Sequence, residues 1–362
     1  MKEEARQQSI MLDNITRALA EWTVTRHAET DESLPRRYGQ GWRGQWAADT
    51  RSRIAQLSQS LAVRRPELFV DAALWARAAH AARGIDPGDL VENLRCLRAV
   101  LNDEAPAPVR AAAADAVDRA LTRLAEPPPE TPVGIHPDQP HGTLVLRYLE
   151  ALLAGRHRAA EELIIESVAG GLSVADAYQQ VLAPAQVEIG RMWHEGEITI
   201  ADEHLATHNV GIVMSRLRNA FPVQPEATHR VLTTAAAGDL HSIGPRMVSD
   251  FFELAGWQTF CLGANTPAAE VVRAVVDYEA SLLAVSASSV LHVREVGDVI
   301  ALVRATPETA SVRIIVGGRP FALVSDLWEE LGADGTAASL DAAVTLGARL
   351  VEGLPAATRG RA

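Results

Sequence analysis

The 362-residue chain is predicted to be a multidomain α and α/β protein. An all-helical N-terminal domain precedes a four-helix bundle, and a C-terminal domain carries five parallel strands. Three observations predict it. Helical apolar patterns account for most of residues 1–126. Six prolines fall in the fifteen residues from Glu126 to Pro140, a density that no packed helix tolerates. From Thr228 onward short apolar runs alternate with amphipathic segments, the pattern of βα units.

The elements follow in order. N-terminal helices are expected over 10–29, 42–63, 67–83, 88–101 and 106–124. Pro87 at a first turn, and Pro106 and Pro108 after Asn102-Asp103, mark their boundaries. The segment 34–46 is less regular. Its Arg36, Arg37, Tyr38 and Arg43 beside Trp42 and Trp46 suit a partner-binding loop. The i, i+4 spacing of the two tryptophans suits the core face of a helix at least as well, and both readings stay open. Residues 127–141 read as a semi-extended tether, in which His136 and His141 fit solvated side chains better than metal ligands. The bundle, 142–224, opens on Leu144, Leu146, Tyr148, Leu149, Leu152 and Leu153 and continues over 158–168, 174–193 and 200–221. The last domain, 228–356, is expected to alternate strands at 231–237, 258–262, 282–286 and 312–316 with helices at 244–255, 267–279, 293–304, 322–331 and 339–352. A short strand ending at Gly335 completes a Rossmann-like sheet.

Composition excludes several classes of function. Apolar residues make up 48% of the chain, enough for real cores, yet no run of 18 or more spans a membrane. Met1 to Gln8 is polar and charged, unlike a signal peptide, so a cytoplasmic protein is expected. Cys96 and Cys261, both in apolar settings, make no disulfide framework. The net charge of −12 argues against tight nucleic-acid binding, which needs Lys and Arg on phosphates. Residues 1–126 hold 18 basic and 18 acidic side chains, so the acidic excess lies wholly beyond them.

The chemistry concentrates in Asp239-Leu240-His241-Ser242-Ile243-Gly244. Forty-one residues separate Gly244 from Ser286, which opens Ser286-Ala287-Ser288, and twenty-eight separate Ser288 from Gly317-Gly318. His241 falls on a strand-to-helix loop, at the carboxyl edge where open α/β sheets bind ligands. A neutral imidazole ligates transition metals, and its second nitrogen needs an orienting partner, for which Asp239 is well placed. This pattern, D-x-H-x-x-G, then S-x-L, then G-G, resembles the base-off/His-on cobalamin-binding domain, with Ser288 where the family has Leu. The resemblance implies cobalamin, with His241 as lower cobalt ligand in place of the cofactor's dimethylbenzimidazole. It also implies a nucleotide tail threaded beside the sheet, with Ser286 donating to it and Gly317 and Gly318 leaving it room.

A second constellation precedes it. Trp193 is followed, after nine residues, by Glu203-His204. A helix ending at Trp193 breaks at Gly196, and Thr199 with Asp202 reads as a capping box that opens the next helix. All three side chains can then face one pocket. W-x9-E-H resembles the cap of the adenosylcobalamin photoreceptors of the CarH/LitR family. The likeness implies Trp193 as an apolar wall for the adenosyl group, with Glu203 and His204 as its polar edge. His194 is the implied upper cobalt ligand after photolysis. Consecutive helical residues point about 100° apart, so Trp193 and His194 exchange places only by a rotation or shift.

The resemblance covers residues 142–355 and implies a light sensor using adenosylcobalamin, not an enzyme. Its output is expected to be self-association or a protein partner engaged through residues 1–126. Those residues show no winged-helix pattern, so direct DNA binding is not expected. They loosely resemble helical sensory or docking domains, without a motif. Two rivals remain: a corrinoid protein of a methyltransferase system, whose access a bulky Trp-His cap would obstruct, and a light-independent cobalamin-sensing adaptor. An isomerase is disfavoured because no substrate barrel accompanies the domain.

Overall fold

A computed structural model describes residues 3–127, 134–221 and 229–352. Residues 128–133 of the expected tether, 222–224 of the expected bundle, and 228 and 353–356 of the last domain lie outside them.

The N-terminal domain consists of α1 (Glu3–Thr30), α2 (Leu34–Tyr38), α3 (Trp42–Ala62), α4 (Pro66–Ala82), α5 (Pro87–Glu104) and α6 (Ala107–Leu124). Leu12, Leu19, Ile54, Leu57, Phe69, Leu94 and Val117 interdigitate in its core. The irregular segment resolves into the short α2 and the start of α3. Trp42 and Trp46 are both buried there, which excludes the exposed-loop reading. The rings of His27 and His80 approach Trp46 edge-on at 5.1 and 5.6 Å.

The bundle follows as α7 (Gly142–Leu153), α8 (His157–Ala169), a composite third helix and α11 (Ile200–Leu217). That third helix, expected to be continuous, starts as α9 (Val174–Asp176), widens to a π turn (Ala177–Leu182) and continues as α10 (Ala183–His194). Pro184 lacks the N–H that the Gln180 carbonyl requires at i+4, and the Ala183 N–H bonds to the Tyr178 carbonyl instead. Tyr178 also donates to the buried Asp250 at 2.7 Å, which ties bundle to sheet domain.

In the last domain five parallel strands lie in the order β2-β1-β3-β4-β5: β1 (Arg230–Ala235), β2 (Gln258–Gly263), β3 (Leu282–Ser286), β4 (Arg313–Gly317) and β5 (Gly335–Thr336). Helices α12 (Ile243–Leu254) and α17 (Leu340–Val351) cover one face, and α13 (Ala268–Asp277) and α14 (Val293–Ala305) the other. The single helix expected at 322–331 is two, α15 (Arg319–Leu323) and α16 (Leu327–Leu331), because Val324 turns extended and Asp326 starts anew. This places Phe321 and Leu327 in the same core. Because β1 lies between β2 and β3, the chain reverses direction there. The carboxyl ends of β1, β3 and β4 therefore open side by side.

The N-terminal domain docks on the sheet domain. Val63, Leu68 and Ala72 join the apolar cluster of Val290, Val293, Phe321 and Leu327. Arg294 bonds Asp13 at 2.6 Å and Ser9 at 2.7 Å, and Arg65 bonds Asp326 at 2.6 Å. Among the described residues no helix is long and apolar enough to cross a membrane.

Candidate functional site

The three sequence landmarks converge because each follows one of three neighbouring strands. Asp239 to Gly244 follow β1, Ser286 to Ser288 end β3, and Gly317-Gly318 end β4. Parallel pairing sets Ala235 opposite Ser286 and Ser286 opposite Gly317, so the loops rise from one level of the sheet.

Between the sheet and the layer of α12 and α17 runs a cavity of about 550 Å³. Its wall is mostly apolar, with Met247, Ile315, Leu340 and Ala343, and it includes Gly244, Ser286, Gly317 and Gly318. A Cβ built at Gly244 or Gly317 would meet nothing within 4 Å, so both glycines widen the cavity. Gly318 differs. Its φ of +102° and a would-be Cβ 2.0 Å from the Ala287 carbonyl make it a backbone requirement.

His241, three residues before the cavity-lining Gly244, has 77% of its side chain exposed, although its loop is firmly held. Asp239 is fully buried and meets the His241 Nδ1 at 2.8 Å while accepting from its backbone N–H at 3.0 Å. Ser288 donates to the same carboxylate, from its backbone N–H at 2.6 Å and its hydroxyl at 2.9 Å. Ser288 therefore positions Asp239 and does not line the cavity. Burial pushes the Asp239 pKa up, but the bonds from His241 and Ser288 outweigh it and bring it down to about 2. The paired carboxylate raises the pKa of His241, and Glu203 adds to the same effect. The arrangement fixes the imidazole by Nδ1 and leaves Nε2 pointed away as a metal donor.

The bundle residues take other positions. Trp193, Glu203 and His204 do not line the cavity. Trp193 lies beside Trp75 of α4, ring centroids 6.5 Å apart, with the Arg83 guanidinium 5.9 Å from its ring. The capping box of Thr199 and Asp202 forms as expected. Glu203, in the first turn it opens, accepts from Thr207 at 2.8 Å, and His204 is exposed. His194 is not solvated. It is 8% exposed and stacks on Trp75 with centroids 3.9 Å apart.

Sequence reasoning missed Thr233 and Gln179. The Thr233 hydroxyl is buried, unpartnered and on the cavity wall, and Gln179 reaches the cavity from the π turn. Two threonines inside an apolar strand were the available signal for the first.

Fold and site together define an α/β protein with a largely apolar cavity at the carboxyl edge of the sheet and an oriented imidazole on the loop after β1. Residues 229–345 match the B12 binding domain, and residues 144–218 match a second B12 binding domain family, so these two segments belong to the cobalamin-binding proteins. A corrinoid protein of Desulfitobacterium hafniense is 24% identical over 207 residues, 56% of this chain and 94% of that one. Monomethylamine corrinoid protein 1 of Methanosarcina barkeri is 27% identical over 182 residues, 49% of this chain and 82% of that one. The solved structure of the Methanosarcina barkeri monomethylamine corrinoid protein shares the fold, with a TM-score of 0.52 at 23% identity, over 58% of this chain and all of that one.

The residues present fit the cofactor. The cavity is mostly apolar, the Thr233 hydroxyl on its wall is without a partner, and His241 on the neighbouring loop keeps one ring nitrogen clear of Asp239.

Proposed function

We propose that this chain is a corrinoid carrier, which holds a cobalamin with its own base displaced into the cavity and serves a partner enzyme of the methyltransferase class. His241 is the lower cobalt ligand, Asp239 and Ser288 orient it, and Gly244, Ser286, Gly317, Gly318 and Thr233 receive the tail. The largely apolar cavity together with the oriented imidazole carries this reading, and the names of the corrinoid relatives agree with it. Trp193 and His194 pack on Trp75 of α4 and do not line the cavity. A bound corrin supplies a labile cobalt–carbon bond, cleaved by transfer of its carbon ligand or by light.

A second reading is favoured by the Trp193-x9-Glu203-His204 spacing and the histidine beside it. Here the chain is an adenosylcobalamin light sensor in which the cap residues enclose the adenosyl group and the N-terminal domain is the output. One experiment separates the two. The purified chain is loaded with methylcobalamin or adenosylcobalamin, and its visible spectrum and hydrodynamic size are followed in darkness and green light. The carrier should pass its methyl group to a thiol acceptor when a corrinoid methyltransferase is added, with no light-dependent change in size. A change in size specific to the illuminated adenosyl form, without methyl transfer, would replace the first reading by the second. A chain that binds no corrinoid would refute both.

A further inference from the structure

The cavity wall is almost bare of hydrogen-bonding side chains that are free to meet a ligand. Five lining residues carry a side-chain oxygen or nitrogen: Gln179, Thr233, Thr234, Ser286 and Ser339. Three of these are engaged. Thr234 bonds the Thr266 hydroxyl at 2.9 Å, Gln179 donates to Asp341 at 2.5 Å, and Ser339 caps α17 by accepting from the Ala342 N–H at 3.2 Å. Strand register places the other two at different depths. Thr233, Ala284 and Ile315 pair across β1, β3 and β4 in one row, with Ser286 and Gly317 in the next row, roughly 7 Å nearer the carboxyl edge. Val231 and Leu282, one row below Thr233, belong to the core and line no part of the cavity. Thr233 therefore stands at the closed end, fully buried and with no partner for its hydroxyl, while Ser286 is partly exposed nearer the mouth. An unpaired hydroxyl in a packed strand destabilises the empty chain, and valine has the same shape without that cost. The Thr233 hydroxyl is matched only once a polar atom reaches it.

We propose that Thr233 selects the lower base of the corrinoid, admitting a benzimidazole and rejecting a purine. The inference rests on the reading of this cavity as the site of the displaced base, and adds which base it takes. A benzimidazole joined to its ribose through one ring nitrogen keeps a single acceptor, the other ring nitrogen, on an otherwise apolar ring. The Thr233 hydroxyl donates to that nitrogen, and Met247, Ala284, Ile315 and Ala343 enclose the rest. Adenine brings an amino group and three free ring nitrogens to the same walls. Each polar atom buried there without a partner weakens binding by about ten-fold. A phenolic base, joined through its oxygen, has no ring nitrogen to offer and leaves Thr233 unmatched.

The test uses the full chain and three hydroxocorrinoids that differ only in the lower base: dimethylbenzimidazole, adenine or p-cresol. Dissociation constants come from quenching of tryptophan fluorescence, and the melting temperature is taken without cofactor. Wild type should bind the adenine form at least about ten-fold more weakly than the benzimidazole form. Thr233→Val should raise the melting temperature of the empty chain, weaken the benzimidazole form by about ten-fold and change the cresol form by less than about two-fold. Comparing variant with wild type for one corrinoid cancels the cost of detaching its base from cobalt. Thr233→Ser, which keeps the hydroxyl, should keep the preference. Equal losses for all three corrinoids in Thr233→Val, a lower melting temperature for that variant, loss of the preference in Thr233→Ser, or a wild type indifferent to the base would overturn the inference while leaving the cavity as the tail site. A wild type that binds none of the three would instead refute the carrier reading on which it rests.

Discussion

At the scale of single residues, the site depends on one buried carboxylate. Asp239 is held down to about pKa 2 by bonds that exceed its burial cost, against an ordinary value of 3.8. A depressed carboxylate stabilises the fold above about pH 4, and that contribution disappears as pH falls through about 2; it is worth roughly 2 kcal/mol at neutral pH. Asp239→Asn should lower stability by about that amount at pH 7 in urea titrations, with the difference shrinking below about pH 4. The same substitution removes the main cause of the raised His241 pKa. Spectrophotometric titration of the cobalamin-loaded variant should therefore place protonation of His241 at lower pH than in wild type. His241 and Asp239 were legible as a pair because their two-residue spacing and residue types state the chemistry locally. The bonds of Ser288 to Asp239 were not legible, since they cross 49 positions and depend on β3 lying beside β1. Thr233 escaped notice because its interest lies in a missing partner, which only packing reveals.

Elements were legible where period and punctuation agreed. The capping box at Thr199 and Asp202 formed, and four strands lay within a residue or two of expectation. The failures share a cause. Residues 174–193 and 322–331 each kept a helical apolar pattern through a local break, at Pro184 in one and at Val324-Ser325-Asp326 in the other. Periodicity reports which face is buried and is insensitive to a turn that widens or restarts while preserving that face. The strand-to-loop joint after β4 is the least tolerant element. Any side chain at 318 must adopt a left-handed φ and displace the Ala287 carbonyl, so Gly318→Ala should destabilise by about 3 kcal/mol or more. Gly317→Ala projects into open cavity and should leave thermal stability nearly unchanged while weakening cobalamin affinity. Reversal of that order, in melting and binding measurements on the two variants, would remove the distinction drawn between them.

For the whole molecule, the domain order was readable but its assembly was not. Charge balance and the proline-rich stretch separated the N-terminal helices from the rest, and nothing in their pattern announced that they fold back onto the sheet domain. The contacts come from scattered positions, Ser9, Asp13, Asp71 and Arg65, whose partners lie more than 240 residues away. Such pairs leave no periodic trace.

The shared apolar seam has a consequence for dissection. Val63, Leu68 and Ala72 fill ground that Val290, Val293, Phe321 and Leu327 would otherwise show to water. A fragment beginning at residue 142 therefore carries an orphaned greasy flank and should self-associate or precipitate where the intact chain stays dispersed, as light scattering on the two would reveal. Excising the first six helices, an obvious way to simplify the protein, would expose an adhesive surface that is absent from the whole.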